Sequence, residues 1–406
     1  MRRTFCDPLS FVLHVTRNEG RSLEQLLAPR QPGEDGPSLG GAIVQASFVA
    51  KDPALLVRFA DGRIPWTVEP QSHRFTTDGY LRIGDLARLP YAPNRPLDPA
   101  RFGDEHLRMV REALSFQARH EPAMYVVPSL PIARPSAAVL RAYQELHEHA
   151  WALNGTDGIP YRPMLASAYP ATSVMRGRFS VFDRLADRTW AGVYVQPLQL
   201  DTKRDSVEKL VAYARFLREG RDTGFQVIAG KPGGFGLVLG AAGIDRFDAG
   251  LGGGDSFSLS RLDRPPRVEA ADRAGGGRTK PVYIQALLSS LRASDASAIL
   301  NDPAVGSQVT CTIGECRNRG RLFAVEQPRV HFFHCRDQEL AELRERRTGR
   351  LRVQYVHDRL QSAIATAQVI NRVRRERSDP TIDFEYLDRW VGVLARVATG
   401  VASARS

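Results

Sequence analysis

The sequence predicts an α/β fold built on parallel strands, and three observations carry that expectation. Short apolar runs rich in Val and Ile recur along the chain. They lack the polar alternation of a sheet that faces water on one side. Helical patterns lie between several of them, and strand–helix–strand repetition implies parallel strands with right-handed crossovers.

The expected strands are Ile64–Val68, Met124–Val127, Met164–Ala168, Gly192–Gln196, Phe225–Ala229, Ile244–Ala249 and Val282–Gln285. Among the helices, Ser136–Leu153 follows Pro135 and carries Val139, Leu140, Tyr143 and Leu146 on one face. Its His147 and His149 fall on opposite sides and read as surface residues. Asp205–Glu219 shows the clearest pattern. Asp205 and Glu208 have capping-box spacing, Leu210, Val211, Ala214 and Leu217 form a stripe, and Gly220 is placed as a stop. A TIM-like (β/α)8 barrel is the expected architecture, with a doubly wound open sheet as the alternative.

The expected organisation is an N-terminal extension over residues 1–55, a barrel over 56–310, a Cys/His segment over 311–345 and a helical region over 346–406. Residues 28–41 and 261–280 read as Pro/Gly-rich loops. The last region is arginine-rich, with Arg344, Arg346, Arg347, Arg350 and Arg352, then Arg372, Arg374, Arg375 and Arg377. Such runs either track a phosphate backbone or form solvated helix faces.

The 406 residues carry 56 Lys+Arg against 45 Asp+Glu, a formal net charge of +11. That excess points to a polyanion partner, most simply nucleic acid. No apolar run approaches the ~20 residues of a membrane span. Arg2 and Arg3 precede no apolar core, so no signal peptide is expected, and the reading is cytoplasmic with no membrane partner. Four cysteines do not make a disulfide framework. Cys311, Cys316 and Cys335 cluster late, which in a reducing compartment suggests a metal.

The unit Phe225–Leu251 holds the chemistry. A strand, a tight turn at Gly230-Lys231-Pro232 and a short helix, Phe235–Ala242, lead to Gly243 and a second strand ending in Asp248. In a barrel that strand end is the rim where active sites are built. Gly252, Gly253 and Gly254 follow and leave room for close approach.

Gly230-Lys231-Pro232 followed by Gly243-Ile244-Asp245-Arg246-Phe247-Asp248 resembles the queuine/archaeosine tRNA-guanine transglycosylases. That family has a Gly-x-Pro turn and then Gly-Val-Asp-x-Phe-Asp, whose last Asp is the nucleophile. The likeness spans roughly residues 190 to 345. It implies that Asp248 attacks C1′ of a guanosine, and that the resulting ester is resolved by a 7-deazaguanine base. It also implies substrate contacts at Gly192, Tyr194 and Gln196, on the strand corresponding to the family's base-contacting one, and at Phe247 and Gly250. The family's early motif supplying the general base is missing. Glu69 or His73, at the nearest early strand end, is the positional substitute.

The family also carries a Cys-x-Cys-x-x-Cys zinc site with a distant His opening a helix. Here Cys311 and Cys316 keep the outer positions, Ile313 replaces the middle one, and His334 opens an expected helix, His334–Leu343. The implied structural zinc would be held by Cys311, Cys316 and His334, with Cys335 or His331 as fourth ligand. Where the family has Pro-Thr-Arg after the nucleophile, this chain has Gly252-Gly253-Gly254-Asp255. That departure is closer to the DNA-modifying 7-deazaguanine branch than to a tRNA enzyme. The expected function is guanine exchange in nucleic acid, DNA more than tRNA. The alternative is an inactive barrel acting as the nucleic-acid-binding subunit of a modification or defence system with protein partners. A barrel enzyme acting on a small molecule is the third reading.

Overall fold

The computed structural model describes residues 8–16, 22, 23, 26, 39–156, 158–177, 179–244, 246–250, 256, 257 and 280–402. Its centre is a set of short parallel strands. They are β1 (Phe11–Val15), β2 (Leu39–Gln45), β3 (Trp66–Glu69), β4 (Tyr125–Val126), β5 (Met164–Pro170), β6 (Gly192–Val195), β7 (Val227–Ala229) and β8 (Asp248–Ala249). One sheet has the order β8-β1-β2-β3, and a second has β4-β5-β6-β7. Registers include Val12 opposite Asp248, Val44 opposite Val68, and Val193 opposite Val227.

Hydrogen bonds also connect the two sheets. Ala123 N–H donates to Trp66 O at 2.7 Å, and Thr67 Oγ1 donates to Met124 O at 2.7 Å, linking β3 to β4. Ala229 bridges Phe247 in parallel and donates to Arg246 O at 2.9 Å, linking β7 to β8. The mixed α/β fold with parallel strands is therefore as expected.

Strand pairing continues into the stretch read as an N-terminal extension, because β1 and β2 both come from residues 1–55. Residues 39–41, read as loop, belong to β2, where Gly40 and Gly41 start a fully buried strand. Val282–Gln285 is not among the parallel strands. Val282–Ile284 (β9) instead pairs antiparallel with Ser289–Leu291 (β10), which turns its Tyr283 toward a late helix. Most of the expected loop over 261–280, and Gly252 to Gly254, lie outside the described residues.

Helices cover the strands. Asp104–Ala118 (α1) packs against Ala137–Leu153 (α2), whose Ser136 cap accepts Val139 N–H at 3.2 Å. In α2, His147 is buried rather than exposed, stacked between Tyr143 and Trp190 with Nδ1 2.8 Å from Tyr143 O. Val207–Asp222 (α3) is capped one residue later than expected. Ser206, not Asp205, caps it, while Asp205 accepts Asp201 N–H at 2.8 Å and pairs with Lys209. Gly220 does not end the helix but gives the Phe182 ring room, and Gly224, at φ +96°, provides the left-handed exit.

Gly236–Ala241 (α4) is a short, wholly buried helix. Pro328–Glu345 (α5), Gly349–Glu376 (α6) and Tyr386–Ala402 (α7) form the helical C-terminal region. The inward stripe of α6 is Val356, Leu360, Ala363, Ala367 and Ile370, at three- and four-residue spacing. α5, α6 and α7 all pack against α4. The buried Trp390 of α7 donates to Thr202 O at 2.7 Å, locking the region to the loop before α3. No helix among the described residues is long and apolar enough to cross a membrane.

Candidate active site and candidate metal centre

Two layers of side chains share one face of the parallel strands. The lower layer is apolar: Val12, Ile43, Val126, Leu165, Tyr194 and Ile228 form a cluster separate from the main core. A strand returns to the same face every second residue. Two residues further toward the strand ends, that face carries His14, Gln45, Ser167, Gln196 and Gly230, all but the glycine polar. β3 contributes Glu69 at its last position and β8 contributes Asp248, both fully buried. A polar cap thus sits on an apolar floor at the C-terminal ends of the strands, where parallel α/β folds place their sites.

Asp248 is held from three sides. Its Oδ2 lies 2.8 Å from His14 Nδ1 and accepts the Tyr194 hydroxyl at 2.7 Å. Its Oδ1 accepts Lys231 N–H at 2.5 Å. Gln196 Nε2 donates in turn to the Tyr194 hydroxyl. On the far side of the imidazole, His14 Nε2 is 3.3 Å from Gln45 Nε2 and 3.5 Å from Glu69 Oε2. Glu69 Oε1 is 3.5 Å from His73 Nδ1, and the His73 ring stacks on Tyr169 at 4.3 Å between centroids. Neither Glu69 oxygen accepts a hydrogen bond among the described residues.

The electrostatics separate these groups. Burial pushes the Asp248 carboxyl up. The charge and hydrogen bond of His14 and the charge and backbone N–H of Lys231 outweigh it, holding the group below the usual Asp range. Burial drives His73 well below an ordinary histidine, helped by the charges of Arg74, Lys231 and His14. Burial and then the Asp248 charge raise Tyr194 well above an ordinary phenol, so its hydroxyl stays a donor. The result is an ionised carboxylate within hydrogen-bonding reach of an imidazole and a phenol.

Asp248, Glu69, His73, Tyr194 and Gln196, all expected from the sequence, come together here. Gly192, Phe247 and Gly250 are not brought to Asp248. Gly192 lies at the opposite end of β6, where a Cβ would meet Gln226 O at 2.5 Å, so it serves strand packing. Phe247 precedes Asp248 and faces the other way, its ring against Gly236 of α4, where a Cβ would lie 2.6 Å away. Gly250 is half-buried, two residues past Asp248. Asp245 lies outside the described residues. His14 is the residue that sequence reading missed. Its signal is present, since Phe11–Val15 is an apolar run broken by a single polar side chain near its end.

Late in the chain, the ligand atoms of Cys311, His331 and Cys335 all lie within 4.8 Å of one another, a group that can hold a metal ion. α5 starts at Pro328, so His334 does not open the helix. It lies inside it, and His331 and Cys335, four apart, share a face. Cys311 Sγ and Cys335 Sγ are 3.9 Å apart, close to the ~3.8 Å edge of a tetrahedron with metal–sulfur bonds near 2.3 Å. His331 Nε2 lies 2.8 Å from Tyr283 O; donation there leaves Nδ1, 3.8 Å from Cys335 Sγ, as the lone-pair donor. Cys316 and His334, both expected as ligands, pair at 3.6 Å. Hydrogen bonds from Cys316 and then Cys335 depress the Cys311 thiol against the opposing effect of burial, so Cys316 adjoins the group.

Several of the late arginines, and Arg359 between them, are engaged by groups of the fold. Arg346 stacks on Tyr355 at 4.6 Å and donates to Glu342 O, Arg352 to Arg346 O, and Arg374 to Pro380 O. Arg359 faces the buried Glu339, and Arg377 pairs with Asp302. Arg347, Arg350, Arg372 and Arg375 are exposed. No family model matches the chain, and no curated protein matches it.

Proposed function

We propose that the eight parallel strands close into one (β/α)8 barrel, with the β3–β4 and β7–β8 hydrogen bonds as its seams. In this reading the chain is a transglycosylase-like enzyme that exchanges guanine for a 7-deazaguanine base in nucleic acid, DNA more than tRNA. One observation carries it: Asp248, distant in sequence from Glu69 and His73, is joined through His14 to Glu69, which contacts His73, in one buried constellation.

Asp248 is the nucleophile. Its carboxylate oxygen bonds to C1′ as the C1′–N9 bond breaks, and the departing guanine takes a proton from Glu69. In the return step the incoming base gives its N9 proton to Glu69 and displaces the Asp248 ester, so configuration is retained. His14, Tyr194 and the Lys231 N–H hold the carboxylate and stabilise its charge before attack and after release. The reacting nucleotide has to leave its stack to reach a site this deep.

The test is exchange of labelled guanine or 7-deazaguanine into an oligonucleotide by wild type and Asp248→Ala. Loss in the variant, with fold and oligonucleotide binding kept, is the expected result; full exchange by the variant sinks the reading. The second reading, an inactive nucleic-acid-binding subunit, is favoured by the complete burial of both carboxylates. Oligonucleotide affinity without base release, whatever partner is added, would select it.

The metal in this reading is a structural zinc held by Cys311, Cys335 and His331, with Cys316 as fourth donor and His334 hydrogen-bonded behind it. It would tie α5 to the 311–316 segment, and no reaction step passes through it.

A further inference from the structure

Beside the Asp248–His14–Glu69 constellation is a cation with no carboxylate partner among the described residues. Arg74 ends the single 3₁₀ turn Ser72–Arg74, which follows Gln71 in a left-handed conformation at φ +57°. That turn also delivers His73 onto Glu69. Arg74 is half-buried, and its Nε is fully buried without an acceptor. Among the described residues no carboxylate lies within ion-pair distance of it, and Glu69 and Tyr169 act on it only at longer range. The contrast with Arg346, Arg352, Arg374 and Arg377 is plain, since each of those is satisfied by a carbonyl or carboxylate.

A second cation stands nearby. Lys231 holds φ +55°, a conformation costly for a residue with a side chain, and its N–H is fixed on Asp248 Oδ1. Its charge acts on both Asp248 and His73, and the charge of Arg74 acts on His73 as well. Lys231 is anchored at Asp248 and Arg74 follows His73 in its turn, so the two cations come from segments that flank the same constellation. A half-buried guanidinium with a desolvated, unused N–H is costly to leave unpaired. Its planar fork suits a phosphate with two parallel hydrogen bonds, and an ammonium adds a point charge to the same anion.

We propose that Arg74, assisted by Lys231, is a phosphate-binding site, and that its ligand is the phosphodiester flanking the nucleotide whose C1′ faces Asp248. The assignment of that phosphate to a nucleic acid strand rests on the function proposed above; the anion site itself does not. Such a contact positions the strand without reading its sequence.

The experiment measures binding of a short guanosine-containing single-stranded oligonucleotide by fluorescence anisotropy, for wild type, Arg74→Gln and Arg74→Lys. Arg372→Gln, on the exposed face of α6, is the control. We expect Arg74→Gln to weaken binding about tenfold or more, Arg74→Lys to recover part of it, and Arg372→Gln to change little. Replacing the flanking phosphate by a neutral methylphosphonate should weaken wild type by the same factor and leave Arg74→Gln unaffected. Unchanged binding by Arg74→Gln, or an equal methylphosphonate penalty in both proteins, overturns the proposal. A parallel arm follows thermal midpoint against inorganic phosphate. If wild type ignores the oligonucleotide yet is stabilised by phosphate only when Arg74 is present, the anion site stands and the nucleic-acid function falls. If wild type responds to neither, both fall.

Discussion

His14 and Asp248 are 234 positions apart in the chain and 2.8 Å apart in the fold. The parallel register of β1 and β8 sets Val12 opposite Asp248, and His14, one pleat further, closes over the carboxylate. The charge and hydrogen bond of His14 are the largest influences opposing burial at Asp248. Replacing His14 by Ala should therefore raise the Asp248 pKa, because burial is left less opposed. In the proposed mechanism the carboxylate is the reactive form, so the acid limb of the pH–rate profile should move to higher pH in His14→Ala. Carbon-13 NMR of labelled Asp tests the same shift without turnover.

Stability follows the same sign. A carboxyl depressed in the folded state stabilises above its unfolded pKa and loses that contribution as pH falls through the folded value. Asp248→Asn should remove this part of the acid dependence, measurable as a shallower fall of unfolding free energy below pH 4.

Glu69 lies between two histidines and accepts no hydrogen bond among the described residues. Glu69→Gln keeps the shape and removes the exchangeable proton. We expect turnover to fall by about 10²–10⁴, with a change in stability under ~1 kcal/mol. Retained turnover would remove Glu69 from the acid–base role.

His147 gives a readout independent of the site. Burial lowers its pKa to about 4 against an ordinary value near 6.5. Below pH 6.5 the unfolded chain takes up a proton that the folded one refuses until pH nears 4. Stability should drop across that window by on the order of 3 kcal/mol. His147→Gln should flatten that limb in urea titrations at pH 7 and pH 4.5.

Metal analysis of the purified protein should find one zinc per chain, reduced in Cys311→Ser, Cys335→Ser and His331→Ala. The effect should reach the candidate site around His14. Phe332 and Phe333, beside His331, pack edge-on against Phe11 at 6.4 and 5.3 Å, on the strand that carries His14. Chelation should therefore speed amide hydrogen exchange in residues 11–15. Protection unchanged by chelation would disconnect the two centres.

Much of the fold was legible because buried parallel strands are locally apolar, as at Met164–Pro170 and Gly192–Val195. β1 and β2 were less so. Leu39–Gln45 opens with glycines that imitate a loop, and only pairing with neighbours on both sides makes it a strand. Asp248, Glu69 and His73 were found because each stands at or near an expected strand end, Tyr194 and Gln196 because their strand matches the one that contacts the base in the family the sequence resembles. His14 was not, because nothing local distinguishes a site histidine from a core one. Phe247 was misplaced by proximity in sequence, since alternation turns neighbours to opposite faces. His334 was favoured over His331 because the helix start was set six residues too late.

The pairing of β1 with β8 has a consequence for when this protein becomes functional. His14 is synthesised 234 residues before Asp248, so its partner carboxylate arrives only after the strands between them. Until β8 docks on β1, His14 and Glu69 lack the third member of their group. A growing chain, or one cut in any loop between the two strands and separated, carries no assembled site. Capability is thus switched on by completion of the fold rather than by any single element within it.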